Sequence, residues 1–131
     1  MKNKVILIVS ARYYEDFSNS LEVDACSVIS AKKIKYKIIK VPGVFEIPVI
    51  ISKNIKKYDG FIALGCVIRG ETPHFDFISQ ATTNGIMRLS IDHKKPIGNG
   101  IITSLNGEQA LIRSKKKGGE AARAVISVLS Q

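Results

Sequence analysis

The sequence predicts an α/β chain: a parallel sheet covered by helices on both faces. Three observations predict it. Four short runs are apolar, the first without alternating polar positions and the third likewise read as a buried strand. The stretches between them repeat apolar residues at helical spacing. The order is strand, helix, strand throughout, which makes a parallel sheet the economical arrangement. A length of 131 residues fits a single domain over 1–131 with one core.

The first strand is read at Lys4–Ser10, KVILIVS. Ser18 is placed as the cap of a helix whose apolar side carries Leu21, Ala25, Val28, Ile29 and Ala31. Tyr36–Val41, YKIIKV, is a second strand, broken by Pro42-Gly43. Phe45 then opens a helix that tolerates Pro48 in its first turn, where a missing N–H costs little. Phe61–Ile68, FIALGCVI, is the third strand. A long helix follows over Phe75–Asp92, with Phe77, Ile78, Ala81, Gly85, Ile86 and Leu89 on its apolar side. Pro96–Ser104 carries the fourth strand, around Ile101 and Ile102. A helix starts at Glu108–Arg113, is interrupted by Gly118-Gly119, and resumes over Glu120–Leu129. No repeat, linker or low-complexity segment divides the chain.

Composition narrows the function. Hydrophobic residues are 45% and charged residues 24%, values of an ordinary globular protein rather than a disordered one. No apolar run approaches the roughly 20 residues of a membrane-spanning helix, and Met1–Val5 shows no secretory signal. Cys26 and Cys66 read as buried free thiols in a reducing compartment, hence a cytoplasmic chain. Twenty Lys and Arg against eleven Asp and Glu give a net charge of +9. Most of the excess is Lys at helix ends and turns, a solvated face. No basic helix with interleaved aromatics suggests nucleic acid.

In an open parallel sheet, ligands bind beyond the carboxyl ends of the strands. The unusual residues collect there. Arg12, Tyr13 and Tyr14 follow strand one, Val41 to Pro48 follow strand two, Arg69 to His74 follow strand three, and Ser104 to Gly107 follow strand four. Gly70 allows backbone approach to a ligand, and Thr72 offers a hydroxyl where a helix begins, a place that favours phosphate. Thr72 is equally read as an ordinary helix cap. His74 can give and take protons near neutral pH, whereas His93 sits in an exposed polar turn. Phe45 and Glu46 present an apolar plane and an acceptor, suited to a planar heterocycle. Glu46 can instead complement a helix dipole. Arg113, with Lys115, Lys116 and Lys117 near Gly118, reads either as a solvated turn or as an anion clamp.

Several strings carry a resemblance. Val41-Pro42-Gly43-Val44-Phe45-Glu46-Ile47-Pro48 and Leu64 through Asp76 (LGCVIRGETPHFD), with Arg12-Tyr13, Tyr58-Asp59-Gly60 and Gly107-Glu108-Gln109-Ala110, resemble the 6,7-dimethyl-8-ribityllumazine synthase family. The resemblance covers nearly the whole chain in the right order. It implies a flavodoxin-like three-layer sandwich with a four-stranded parallel sheet. It implies condensation of 5-amino-6-(D-ribitylamino)uracil with 3,4-dihydroxy-2-butanone 4-phosphate, without metal or organic cofactor. It also implies pentamers, or shells of pentamers, with each site between adjacent subunits. By resemblance, Tyr13 stacks on the pyrimidine. Val44, Phe45, Glu46 and Ile47 hold the ring and ribityl chain, and Cys66, Val67 and Ile68 read the uracil edge. Gly70, Glu71 and Thr72 bind phosphate, and His74 is the general acid and base. Arg113 and Lys117 reach phosphate from a neighbouring subunit. Asn99 stands where the family commonly has an aromatic packed over the heterocycle from that neighbour. The alternative reading of the same residues is a non-catalytic flavodoxin-like domain that binds a flavin or phosphate ligand, although the Ser- and Thr-rich loop typical of flavin phosphate sites is missing after strand one.

Overall fold

The structure, a computed structural model, describes residues 3–131. The reading of the N-terminus as free of a secretory signal begins on Met1 and Lys2, which lie outside the described residues. Four strands, β1 Val5–Ala11, β2 Lys35–Val41, β3 Gly60–Ile68 and β4 Ile97–Ser104, pair in parallel in the order β2-β1-β3-β4. Five helices connect and follow them: α1 Glu15–Ala31, α2 Ile47–Asn54, α3 His74–His93, α4 Gly107–Ser114 and α5 Lys117–Leu129. The result is a three-layer α/β arrangement of the flavodoxin-like kind.

Strand residues alternate between two apolar layers. Ile6, Ile8, Ile62, Leu64 and Ile102 face Leu21, Ala25 and Ile29 of α1 and Ala121, Ala122 and Val125 of α5. Leu7, Val9, Phe61, Ala63 and Ile101 face Ile47, Ile51 and Ile86 of α2 and α3. Both sides of β1 and β3 are therefore buried, which is why their sequences are continuously apolar. Each such Ile or Leu removed from water contributes about 1.5–3 kcal/mol. The edge strand β2 is mostly exposed and correspondingly Lys-rich.

Three local expectations need correction. Ser18 is not a helix cap: α1 begins at Glu15, and the buried Ser18 hydroxyl donates to the Ala11 carbonyl, tying the helix to the end of β1. Phe45 does not open an α-helix; Val44–Glu46 form a single 3-10 turn and α2 starts at Ile47, with Pro48 in its first turn. Gly118 and Gly119 do not interrupt a helix. The break falls at Lys115 and Lys116, and both glycines lie in the first turn of α5. They serve close packing instead: a Cβ on Gly118 would lie 2.2 Å from the Leu21 carbonyl oxygen, and the Gly119 N–H donates to Asp24 Oδ2 at 2.7 Å. On α3 the buried stripe runs through Thr82 and Ile86, with Ile78 and Leu89 half-buried. Phe77 and Ala81 lie one residue off it and are exposed.

The strand order has a functional consequence. The chain leaves β1 toward β2, then crosses back to place β3 on the other side of β1. Connections from β1 and β3 diverge, and a crevice opens between their carboxyl ends.

Candidate active site

A cavity of about 510 Å³ occupies that crevice. Such a volume suits a small organic ligand. Its walls come from four segments that are distant in sequence. Tyr13 and Tyr14 come from the β1–α1 loop, Gly43 to Glu46 from the turn after β2, and Cys66 to Ile68 from the end of β3. Gly70, Thr72, His74, Phe75 and Ile78 come from the loop and first turns of α3.

Backbone geometry explains each presentation. β1 ends at Ala11, and the Arg12 N–H still donates to the Val41 carbonyl at 2.9 Å, so the chain turns outward only at Tyr13. The Tyr13 ring is 76% exposed and meets Tyr14 edge-to-face, with centroids 4.9 Å apart. Burial first, then the neighbouring Tyr13 and Cys66, raise the pKa of Tyr14, so its phenol is neutral at physiological pH.

The 3-10 turn sorts its residues by direction. Val44 is buried, Phe45 is 59% exposed toward the cavity mouth, and Glu46 is half-buried. Glu46 Oε1 accepts the Gly43 N–H at 2.9 Å, while the Glu46 N–H donates to the Gly43 carbonyl at 3.2 Å. This reciprocal pair fixes the carboxylate from one side, and Oε2 accepts no hydrogen bond among the described residues. Glu46 thus closes the turn and also lines the cavity. Ile47 does not line the cavity. It is fully buried among Leu7, Val9 and Phe61 beneath it.

At the other wall, β3 ends at Ile68 and α3 begins at His74. The His74 N–H donates to Thr72 Oγ1 at 3.4 Å, a long contact that leaves the helix start without a firm side-chain cap. Gly70 has no positive φ, and nothing lies within 4 Å of where its Cβ would be. The space beside its backbone is open, and the turn needs no unusual backbone conformation there. Glu71 is exposed and is not among the residues that line the cavity. Burial pushes the Cys66 thiol up to about 11, so it lines the site as a neutral, apolar group.

Arg113, Lys117 and Asn99 lie elsewhere. Arg113 and Lys117 line a second cavity, of about 400 Å³, with Thr103, Ile112, Lys116 and Glu120 beside the free edge of β4. Arg113 donates to the Thr103 carbonyl, and Lys117 Nζ sits 4.0 Å from Glu120. Asn99 is exposed on that same edge strand, opposite Ala63 in register, and its Oδ1 accepts the Ile101 N–H. None of the three borders the first cavity. No group of three or more His, Cys, Asp or Glu able to hold a metal ion occurs among the described residues. No helix among them is long and apolar enough to cross a membrane.

Sequence reading missed Tyr14, Gly43, Phe75 and Ile78 as wall residues. Tyr14 had a usable signal, its adjacency to Tyr13 in a strand-end loop. Gly43 is disclosed only by its bond to Glu46.

An aromatic pair, a fixed carboxylate, an open helix start and an imidazole thus surround the cavity at the switch point of a parallel sheet of the flavodoxin-like class. The family follows from comparison of the whole chain. A model of the 6,7-dimethyl-8-ribityllumazine synthase family matches residues 3–131, and the chain belongs to that family. Three similar proteins carry the name 6,7-dimethyl-8-ribityllumazine synthase. That of Afipia carboxidovorans is 42% identical over 95% of this chain and 83% of its own. That of Agrobacterium fabrum is 41% identical over 98% and 95%, and that of Bartonella tribocorum 42% identical over 98% and 90%.

Proposed function

We propose that this enzyme condenses 5-amino-6-(D-ribitylamino)uracil with 3,4-dihydroxy-2-butanone 4-phosphate, giving 6,7-dimethyl-8-ribityllumazine, inorganic phosphate and water in riboflavin biosynthesis. The observation that carries this reading is the meeting of Tyr13, Phe45, Glu46, Val67, Thr72 and His74 around one cavity. Family membership supports it independently.

The residues divide the work in this reading. Tyr13 stacks on the pyrimidine, and Phe45 closes the mouth. Glu46 accepts from ribityl hydroxyls through the oxygen not committed to Gly43, while the buried Val44 and Ile47 brace that turn. The backbone of Cys66, Val67 and Ile68 pairs with the uracil edge. The backbone N–H groups of Gly70 and Glu71, the Thr72 hydroxyl and the uncapped N–H groups of α3 take the phosphate.

The amine attacks the ketone, and the carbinolamine loses water. Phosphate then leaves, and the second carbonyl closes the ring. Each step moves a proton that His74, at the first turn of α3, is placed to relay. Holding both substrates together supplies much of the remaining acceleration. No metal or organic cofactor enters the reading.

Arg113 and Lys117 bind phosphate, and Asn99 borders the ring in place of the family's stacking aromatic, from an adjacent copy in a homopentamer or a shell of pentamers. Asn99 on β4 and Arg113 and Lys117 on the helices beside it, away from the cavity of their own chain, favour that arrangement. Two free thiols favour the cytoplasm.

The test is the purified chain with both substrates, read by lumazine absorbance. Formation well above the spontaneous rate is expected. A rate equal to the spontaneous one overturns the assignment, and bound flavin without synthesis would mark a binding domain.

A further inference from the structure

Three aromatic rings run from the core to the mouth of the cavity. Phe17 and Tyr14 are half-buried against the layer formed by β1, β3, α1 and α5. Their centroids are 6.0 Å apart with planes tilted by 47°. Tyr14 then meets Tyr13 at 4.9 Å and 82°, the edge-to-face geometry favoured by the ring quadrupoles. Tyr13 is 76% exposed, and among the described residues no other ring contact holds it.

We infer that Tyr14 is a positioning residue, whose ring holds Tyr13 in the orientation that receives the heterocycle. This rests on the proposed stacking of Tyr13 on the pyrimidine. An exposed aromatic ring that is free to change rotamer loses that freedom on binding, and the loss subtracts from affinity. A neighbour that restricts the ring beforehand removes the loss. Tyr14 is suited to this because it is anchored at its inner side by Phe17, and because Arg12, just before the pair, is held to Val41 and Glu22. Tyr14 acts through its ring, which touches Tyr13 on one side and Phe17 on the other.

Steady-state kinetics on the full chain test it, with KM measured separately for each substrate. Tyr14→Leu is expected to raise KM for the ribitylaminouracil about three- to tenfold, with kcat and KM for the butanone phosphate changed less than about twofold. Tyr14→Phe keeps the ring and restores the KM. In a Tyr13→Leu background, Tyr14→Leu adds nothing further, a non-additivity that a purely structural role would not produce. An unchanged KM in Tyr14→Leu overturns the inference, and so do additive effects in the double variant. A Tyr14→Phe variant as impaired as Tyr14→Leu also overturns it and assigns the effect to the phenol. If Tyr14→Leu fails to fold by circular dichroism, Tyr14→Met, flexible and ringless, takes its place. Wild-type chain in the same assay separates the two levels: no lumazine formation removes the function and this inference with it, whereas normal formation with unchanged KM removes the inference alone.

Discussion

Arg12 and Glu22 form an ion pair that closes the end of β1 onto α1, with the two side chains only 17% and 14% exposed. The same carboxylate accepts the Ser10 hydroxyl at 2.6 Å, and the guanidinium also donates to Asn19 Oδ1 at 2.6 Å. Four polar side chains thus satisfy one another directly below the loop that carries Tyr13 and Tyr14. A charge left unpaired there costs far more than an exposed pair contributes.

Glu22→Gln should therefore destabilise the fold by about 1–3 kcal/mol. Urea denaturation of the variant against wild type measures it. A midpoint that does not move would show that the pair carries no weight.

Removal of the imidazole is expected to act on the chemical step. His74→Ala should lower kcat for lumazine formation on the order of 100-fold, with far smaller changes in either KM. Because His74 is exposed at the first turn of α3, the melting temperature should stay near that of wild type. A kcat within a factor of about two of wild type would remove His74 from proton transfer.

Arg113 tests the shared site. Arg113→Ala should raise KM for the butanone phosphate on the order of tenfold while leaving KM for the ribitylaminouracil nearly unchanged. If His74 and Arg113 of one site come from different copies, refolding His74→Ala and Arg113→Ala chains together should restore activity that neither has alone. Mixed oligomers then contain some sites with both residues intact. Failure to complement, in oligomers shown to be mixed, would place both groups in one chain.

Cys66 gives a pH dependence with a definite sign. Burial raises its pKa from the ordinary 9.0 to about 11. The folded chain holds that proton more tightly than the unfolded chain does. Its contribution to stability is therefore complete below pH 9 and is lost as pH rises through about 11. Unfolding free energy should fall across this window, and less steeply in Cys66→Ala. At about pH 7.5, iodoacetamide should spare Cys66 in the native protein and label it after denaturation. Rapid native labelling would contradict the burial.

Most residues that line the cavity lie in strings that stand out in the sequence. Val41 to Pro48 and Leu64 to Asp76 name most of the wall residues, because strand-end loops in a parallel sheet need turn chemistry and polar groups that stand out against apolar strands. Ile47 and Glu71 do not line the cavity. Both sit inside the same strings as true wall residues, and one faces the core while the other faces solvent. A motif fixes neighbours along the chain, whereas facing depends on the 3-10 turn at Val44–Glu46 and on the start of α3. The glycines at 118 and 119 read as a break for the same reason: local propensity is visible in sequence, but the approach of α5 to Leu21 and Asp24 is not.

The amino-acid sequence determined the four strands, the helices between them and the identity of the chemistry-bearing loops. Periodicity and turn residues are local properties that survive in one dimension. The tertiary structure decided the strand order that opens a crevice between β1 and β3, the edge-to-face contact of Tyr13 with Tyr14, and the removal of Arg113 and Asn99 to the β4 edge. These depend on pairing and packing between segments far apart in the chain, set by the burial of both apolar layers together rather than by any single stretch.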